Sequence, residues 1–150
     1  MSPQGKYQAY NTAAQTMAKT RQIVLLYDGI IRFAQQWRSA MEQQNTEQRF
    51  NAFRRINDIV DALHNCLDFE QGGEMADMLA AFYHNLSMDL AQADRTQNLK
   101  LVDDVLARVR RMRDSWEEID KSQPPAADSM PASASNGSGG EGGSSFEYSA

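Results

Sequence analysis

Cysteine and histidine are scarce in this chain of 150 residues, and their scarcity removes several classes of protein. One cysteine, Cys66, excludes an internal disulfide and a cysteine-based metal cluster. Two histidines leave few partners for a catalytic dyad, and no Gly-rich phosphate loop is present. Asp61 and His64 have the spacing of a di-iron ligand pair, but the second pair that this chemistry needs is missing. We therefore expect no catalytic residue, no cofactor and no metal.

Long apolar runs are also absent. No stretch approaches the 18 or more residues that a membrane span needs, and no apolar segment follows the first positive charge, Lys6. The sequence therefore predicts a cytoplasmic protein without a secretory signal and without membrane insertion.

Net charge is small over most of the chain. All fifteen Lys and Arg precede Ser122 together with seventeen acidic residues, so this body carries about −2 of the formal net charge of −5. A near-neutral body argues against nucleic acid as the main partner and favours recognition through apolar surface.

A basic cluster on the last helical segment leaves one nucleic-acid alternative open. It consists of Arg108, Arg110, Arg111 and Arg113. Three carboxylates lie at i,i+4 spacing from members of this cluster, in the pairs Asp104–Arg108, Arg110–Asp114 and Arg113–Glu117. That spacing predicts a solvated, salt-bridged helix face, whereas an RNA-binding regulator would use the same arginines as a phosphate contact.

Apolar periodicity is helical almost throughout and predicts an all-α, antiparallel up-and-down four-helix bundle. A short N-terminal helical segment covers about Tyr7–Met17. The long helices are expected at Thr20–Gln44 with Thr20 as N-cap, Glu47–Phe69 after a capping Asn45-Thr46, a third from the Gly72-Gly73 break to Asp94, and Asn98–Asp120. The predicted organisation is a capping segment at 1–18, a bundle at 19–121 and a tail at 122–150.

The tail is rich in Pro, Ala, Ser and Gly, a composition that predicts disorder. Its three charged residues, Asp128, Glu141 and Glu147, are all acidic, and Phe146 and Tyr148 are its only aromatics. A second cap, a contact with export machinery and no role at all are the alternatives for this aromatic end.

Apolar residues outside the main helical stripes are the strongest sign of a binding surface. Val24 and Ile31 in the first long helix, and Ile59 and Cys66 in the second, widen their stripes. Two explanations stay open: each bundle helix contacts two neighbours, or the outer residues form a groove for a client's amphipathic helix.

Three ordered signatures carry a resemblance to a known family. Leu26-Tyr27-Asp28-Gly29 lies inside the first long helix, where a glycine indicates the close approach of another helix. Gly72-Gly73-Glu74 is followed by Tyr83, and Trp116 comes late in the chain. Over roughly residues 7–120 these segments resemble the FliS family, the flagellar export chaperones that hold flagellin.

The resemblance implies a binding function that involves no catalysed reaction. Members of that family bind the C-terminal segment of flagellin one-to-one, prevent its premature polymerisation and pass it to the flagellar type III export apparatus. The residues that we expect to line the groove are those of the apolar surplus, Val24, Ile31, Ile59 and Cys66. Tyr10 matches the family's N-terminal aromatic, and we expect it to cap the groove together with Tyr7. A weak homodimer in the free state is left open, as is the alternative of a helical adaptor for another flagellar or RNA partner.

Overall fold

The computed structural model describes residues 3–123, with side chains described from residue 19 onward. Four α-helices occupy this range: α1 Pro3–Glu42, α2 Thr46–Asn65, α3 Phe69–Thr96 and α4 Leu99–Ser122. The chain divides into a principal unit, Gln22–Glu117, and a second unit made of its two ends, up to Arg21 and from Glu118. The principal unit carries the candidate site.

Contacts between α1 and α2 show that these helices run in opposite directions. The ring of Trp37 lies 5.7 Å, centroid to centroid, from that of Phe53 in α2. Gly29, two turns earlier in α1, lies against Ile59, which comes later in α2. Advancing along one helix therefore means going back along the other.

The same reasoning makes α3 parallel to α1. The hydroxyls of Tyr27 and Tyr83 are 2.8 Å apart, and the Trp37 indole N–H donates to Asp94, 2.9 Å away. Positions advance together along both helices, because residue 27 pairs with 83 and residue 37 with 94.

Helix α4 is antiparallel to α1, which completes the topology. Arg38 donates to Asp103 and Arg113 donates to Asp28. Later residues of α1 therefore lie beside earlier residues of α4. The predicted all-α, up-and-down four-helix bundle is thus confirmed.

The core of the principal unit is apolar and continuous through all four helices. Its largest fully buried side chains are Trp37, Tyr27, Ile30, Ile56, Leu86, Leu90, Val60, Val102, Val105 and Val109. Burying a side chain of this size contributes about 1.5–3 kcal/mol. The periodic apolar stripes of the sequence therefore account for the packing.

Short side chains cap three of the helix starts. Asn45, one of the two residues predicted to cap α2, does so by accepting a hydrogen bond from the Gln48 amide, 3.1 Å away, while Thr46 is the first residue of the helix. Asp68 accepts from the amides that open α3, and Asn98 accepts from Leu101 in α4 at 3.2 Å. These bonds satisfy amide donors that have no partner inside the helix.

The prediction that Thr20 caps a helix is wrong. Helix α1 continues unbroken from Pro3 through this position, and the Thr20 side chain is buried. Thr20, Arg21 and Asp120 all belong to the second unit. The Thr20 hydroxyl donates to Asp120, 2.9 Å away, and Arg21 pairs with the other oxygen of that carboxylate at 3.5 Å. The Thr20 hydroxyl therefore bonds to a carboxylate far away in the sequence instead of to an amide at a helix start.

The predicted break at Gly72-Gly73 is misplaced. Helix α2 ends at Asn65 rather than Phe69, and α3 already begins at Phe69 behind its Asp68 cap. Gly73 instead kinks α3, with φ of 52° and ψ of −126°, a conformation accessible essentially to glycine alone. The glycine does interrupt helical geometry, but one turn after the helix has begun.

None of the four helices, over the residues described, has an apolar stretch long enough to span a bilayer.

Candidate functional site

Tyr27, the aromatic residue of the α1 motif, is fully buried and shares a hydrogen bond with Tyr83. Burial and the neighbouring Tyr83 raise the pKa of the Tyr27 hydroxyl far above its usual value of 10.0. Burial also raises the pKa of Tyr83. The indole nitrogen of Trp116 is buried beside Tyr27 without a hydrogen bond of ordinary geometry. The two tyrosines therefore stay protonated and act as a structural pair rather than as acids or bases.

Asp28, the next motif residue, connects α1 to α4. Its carboxylate accepts a hydrogen bond from Arg113 Nε at 2.8 Å, and Arg113 also contacts Glu117 at 3.1 Å. The Asp28 hydrogen bond raises the pKa of the Arg113 guanidinium. Both side chains of the Asp28–Arg113 pair are partly exposed, so the pair contributes at most about 1 kcal/mol.

Gly29, which ends the motif, lies close to α2. A Cβ added here would lie 3.1 Å from Ile59 Cδ1. The close approach that the sequence indicated is therefore present, and Ile59 occupies the space that any larger residue would fill.

Three consecutive residues thus join α1 to each of the other helices. Tyr27 bonds to α3, Asp28 pairs with α4 and Gly29 accepts α2. Leu26 packs against the same core, and Glu74 is exposed after the kink. Because these positions organise the bundle, the motif identifies the fold.

The predicted groove residues are not all at one place. Val24 is fully buried and presents no surface in this structure, whereas Cys66 is exposed. Ile31 and Ile59 are half-buried, but Ile31 lies two residues from Gly29, about 200° around the helix axis. Since Gly29 faces Ile59, the structure sets Ile31 on the other side of α1 from it. Cys66, the C-cap residue just after α2, follows Ile59 by seven positions and so lies at nearly the same angle around the helix axis.

The proposed cap lies outside the described side chains. Tyr7 and Tyr10 fall within the backbone range of α1, and their side-chain positions are not among those that the structure describes.

A more exposed apolar surface lies at the start of α3, and the sequence stripes did not reveal it. Phe69, Met75 and Met78 are 52%, 57% and 66% exposed. We call these three residues the α3 apolar face. Half-buried Phe82 continues it at helical spacing after Met78. Met75 and Met78 follow the kink, in the regular part of α3, where the buried residues are Ala76, Leu79 and Tyr83 and both methionines lie outside that stripe.

The salt-bridge pattern predicted for the basic cluster is only partly right. Arg113–Glu117 forms as expected, but Arg108 pairs with Asp89 on α3, and Asp104 pairs with Lys100. Arg108 and Arg113 thus form ion pairs with carboxylates on other helices, which the spacing along α4 alone does not predict.

A polar cavity of about 210 Å³ lies where the α1–α2 and α3–α4 connections meet. It is lined by Ala40, Gln44, Asn45, Thr46, Arg49 and Gln97. Its charged lining residue, Arg49, already pairs with Asp94, which also accepts from Trp37. Across the part of the chain that the structure describes, no group of three or more His, Cys, Asp or Glu is arranged to hold a metal.

Comparison with known families decides the assignment. The family described as flagellar protein FliS matches residues 3–123, the same range that forms the four helices. The chain belongs to the FliS family. This match covers the α1 motif, the kinked start of α3 and Trp116, and it stops where the acidic tail begins.

Curated relatives agree with the FliS assignment. The flagellar secretion chaperone FliS of Campylobacter jejuni is 30% identical over 122 residues, covering 79% of this chain and 95% of the relative. FliS of Vibrio cholerae is 28% identical, covering 77% and 88%, and FliSB of Pseudomonas aeruginosa is 28% identical, covering 79% and 96%. These FliS proteins are named as chaperones, so the chain belongs to a non-enzymatic family of flagellar secretion chaperones.

Proposed function

We propose that this protein is a cytoplasmic chaperone that binds the C-terminal segment of flagellin one-to-one. In doing so it prevents premature polymerisation and delivers the subunit to the flagellar type III export apparatus. Membership of a flagellar secretion chaperone family is the observation that carries this proposal. Sequestration of an apolar helix needs exposed apolar surface and no chemistry, which fits the residues described above.

The α3 apolar face is the surface that we propose for the first client contact. Three large apolar side chains exposed within ten residues are unusual for a surface without a partner. Two of them are methionines, whose flexible side chains adapt to the irregular apolar stripe of a client helix. Ile59 in α2 and Cys66, the C-cap residue just after it, are proposed as further contacts.

Calorimetric titration with flagellin tests the proposal. We expect tight one-to-one binding to intact flagellin and none to flagellin lacking its C-terminal segment. A segment that folds on binding should also give a large negative heat-capacity change. Equal binding to both forms, or binding to neither, would contradict the proposal and direct the search to an adaptor role with another flagellar partner.

A methionine comparison locates the contact surface. We expect Met75→Ser together with Met78→Ser to weaken flagellin binding about tenfold or more, since each buried methionine contributes about 1.5–3 kcal/mol. Met88→Ser is the matched control, because Met88 is an equally exposed methionine on a later part of the same helix. If Met88→Ser weakened binding as much as the double variant, the α3 apolar face would not be the contact.

The cap hypothesis has a separate test. We propose that Tyr7 and Tyr10 cover the client surface until flagellin arrives, because a bare apolar patch promotes self-association. Tyr7→Ala with Tyr10→Ala should lower the solubility of the free protein, raise its tendency to form a weak homodimer and tighten client binding. Unchanged solubility and unchanged affinity would rule the cap out.

A further inference from the structure

The kink in α3 depends on two adjacent glycines, and each is required for a different reason. Gly73 has φ of 52° and ψ of −126°, the mirror image of the extended conformations that L residues prefer. A Cβ built at Gly72 would lie 2.9 Å from the Cβ of Ala76. Residues four apart in an uninterrupted α-helix keep their Cβ atoms about 5–6 Å apart. Alanine at either position therefore opposes the kink.

The side chain whose direction the kink sets is that of Phe69, which precedes it. Ala76, Tyr83 and Leu90 follow Phe69 at intervals of seven residues, and all three are buried. In an uninterrupted helix, positions seven apart differ by only about 20° around the axis, so Phe69 would continue this buried stripe. With the kink, Phe69 is 52% exposed. The two glycines thus turn an aromatic side chain outward that helical periodicity would turn inward.

The first turn of α3 is held in this direction by its own backbone. The Asp68 carboxylate accepts from the amides of Glu70 and Gln71 at 3.1 and 3.0 Å, and the Gly72 amide donates to the Asp68 carbonyl at 2.7 Å. A close neighbour does not account for Gly73, since no atom lies within 4 Å of a Cβ built there. Burial of a phenylalanine is favourable, so its outward position costs stability. Binding of a partner by this ring would explain that cost.

We propose that Gly72 and Gly73 are positioning residues that hold Phe69 outward for contact with the client. The ring then packs on the apolar stripe of the flagellin segment together with Met75 and Met78. This inference rests on the proposed chaperone function, because it assigns a role at the same surface.

Exposure of the phenylalanine rings in the free, full-length protein tests the positioning step. Ring signals of isotope-labelled phenylalanine are measured with a neutral gadolinium chelate, which relaxes exposed groups. Phe69 should be relaxed as strongly as Phe50, which is 62% exposed on α2. In the variant with Gly72→Ala and Gly73→Ala, relaxation of Phe69 should fall toward that of half-buried Phe53, while that of Phe50 stays unchanged.

D-Alanine at position 73 separates the backbone angle from the added methyl group. A D residue adopts the conformation of Gly73 without strain, because that conformation mirrors one that L residues prefer. The protein is assembled by ligation at Cys66, its single cysteine. Replacement of Gly73 by D-alanine should preserve both the exposure of Phe69 and the native affinity, whereas Gly73→Ala should reduce both.

Affinity for the isolated C-terminal segment of flagellin tests the role in binding. Phe69→Ala should weaken binding about tenfold, since it removes one large apolar contact. The double glycine variant should weaken it by a similar factor, and Phe69→Ala should then add little more. Asn85→Ala is the matched control, because it adds a helix former at an exposed site in the regular part of α3. It should change neither the affinity nor the exposure of Phe69.

The outcomes distinguish this inference from the proposed function. Native protein that does not bind the flagellin segment would overturn the proposed function and this role with it. Native binding that Phe69→Ala leaves intact would overturn the inference alone. A Phe69 ring that stays exposed in the double glycine variant would do the same, as would equal losses of affinity with L- and D-alanine at position 73.

Discussion

Residues 27–29 of α1 and the α3 apolar face are two short regions that differ in burial: the first contacts the other three helices, and the second is exposed to solvent. In the first, three successive side-chain positions each meet a different helix, and Tyr27 is fully buried. In the second, Phe69, Met75 and Met78 are more than half exposed and flank a glycine kink. Both regions lie within the FliS match. Only the side chains of the first region are fixed by contacts with the other helices of the bundle.

The comparison separates residues that mark the family from residues that are free to bind. A position that satisfies a buried partner cannot change without loss of stability, so a motif built of such positions identifies the fold. A surface that binds a client must keep apolar area exposed in the free protein. The motif therefore identifies the scaffold, and a candidate binding surface has to be found from exposure.

The largest predicted effect separates the two regions by stability. Tyr27→Ala should lower the free energy of unfolding by about 3–5 kcal/mol, because it empties a fully buried aromatic site. Met78→Ala should stay within about 0.5 kcal/mol, since that side chain is mostly exposed. Denaturant unfolding followed by circular dichroism measures both. Equal losses would mean that the α3 apolar face is part of the core in solution.

Alkaline pH should weaken the first region and leave the second unaffected. Burial raises the pKa of Tyr27 and of Tyr83 above the ordinary value of about 10. The folded state therefore keeps these protons while the unfolded state loses them. Stability from this source is complete below about pH 10 and falls as the pH rises above it, by about 1.4 kcal/mol from Tyr27 at about pH 11 and in the same direction from Tyr83.

Unfolding free energies at about pH 9 and 11 measure this dependence. The variant with Tyr27→Phe and Tyr83→Phe is the control, and it should lose less stability over the same interval. If the variant and the native protein declined equally, the two hydroxyls would not be the cause.

A smaller effect isolates the hydrogen bond within the pair. Tyr27→Phe alone should cost about 1–2 kcal/mol, because it leaves the buried Tyr83 hydroxyl without its partner. Adding Tyr83→Phe should recover part of that loss, since the unpaired hydroxyl is then gone. A thermodynamic cycle at neutral pH measures the coupling. Strictly additive losses would mean that the two hydroxyls are satisfied independently.

Much of this fold could be predicted from the sequence because helical periodicity follows directly from burial. The apolar stripes predicted four helices, and the α4 bounds differ from the expected Asn98–Asp120 by no more than two residues. Thr20 was misassigned because its hydroxyl bonds to a residue about one hundred positions away. No local pattern contains that information.

The misplaced helix break did have a local signal. Asp68 is followed three residues later by Gln71, which is the pattern of a capped helix start, and the Asp68 carboxylate accepts from the Gln71 amide at 3.0 Å. The two adjacent glycines are the stronger break signal in the sequence, because each is unfavourable in a helix interior. The exposure of Met75 and Met78 depends on which of two neighbouring apolar stripes of α3 faces the core, and the structure buries the stripe that contains Ala76, Leu79 and Tyr83.

The finest distinction concerns the glycines of the two regions. Gly29→Ala adds a good helix former but sets its Cβ 3.1 Å from Ile59 Cδ1, so steric crowding offsets the gain in helix propensity. In an Ile59→Val background that methyl group is absent, and the same change should raise the unfolding free energy by about 0.5–1 kcal/mol. A matched cycle therefore predicts a positive coupling between the two positions.

Gly73→Ala is the comparison for Gly29→Ala, because a different constraint acts on this glycine. No atom lies within 4 Å of a Cβ at Gly73, but its φ of 52° is unfavourable for alanine, so the change should destabilise regardless of its neighbours. Gly29 would then be required by a close neighbour and Gly73 by its backbone angle. If Gly29→Ala destabilised equally in both Ile59 backgrounds, the close approach of α2 would not explain the glycine in the motif.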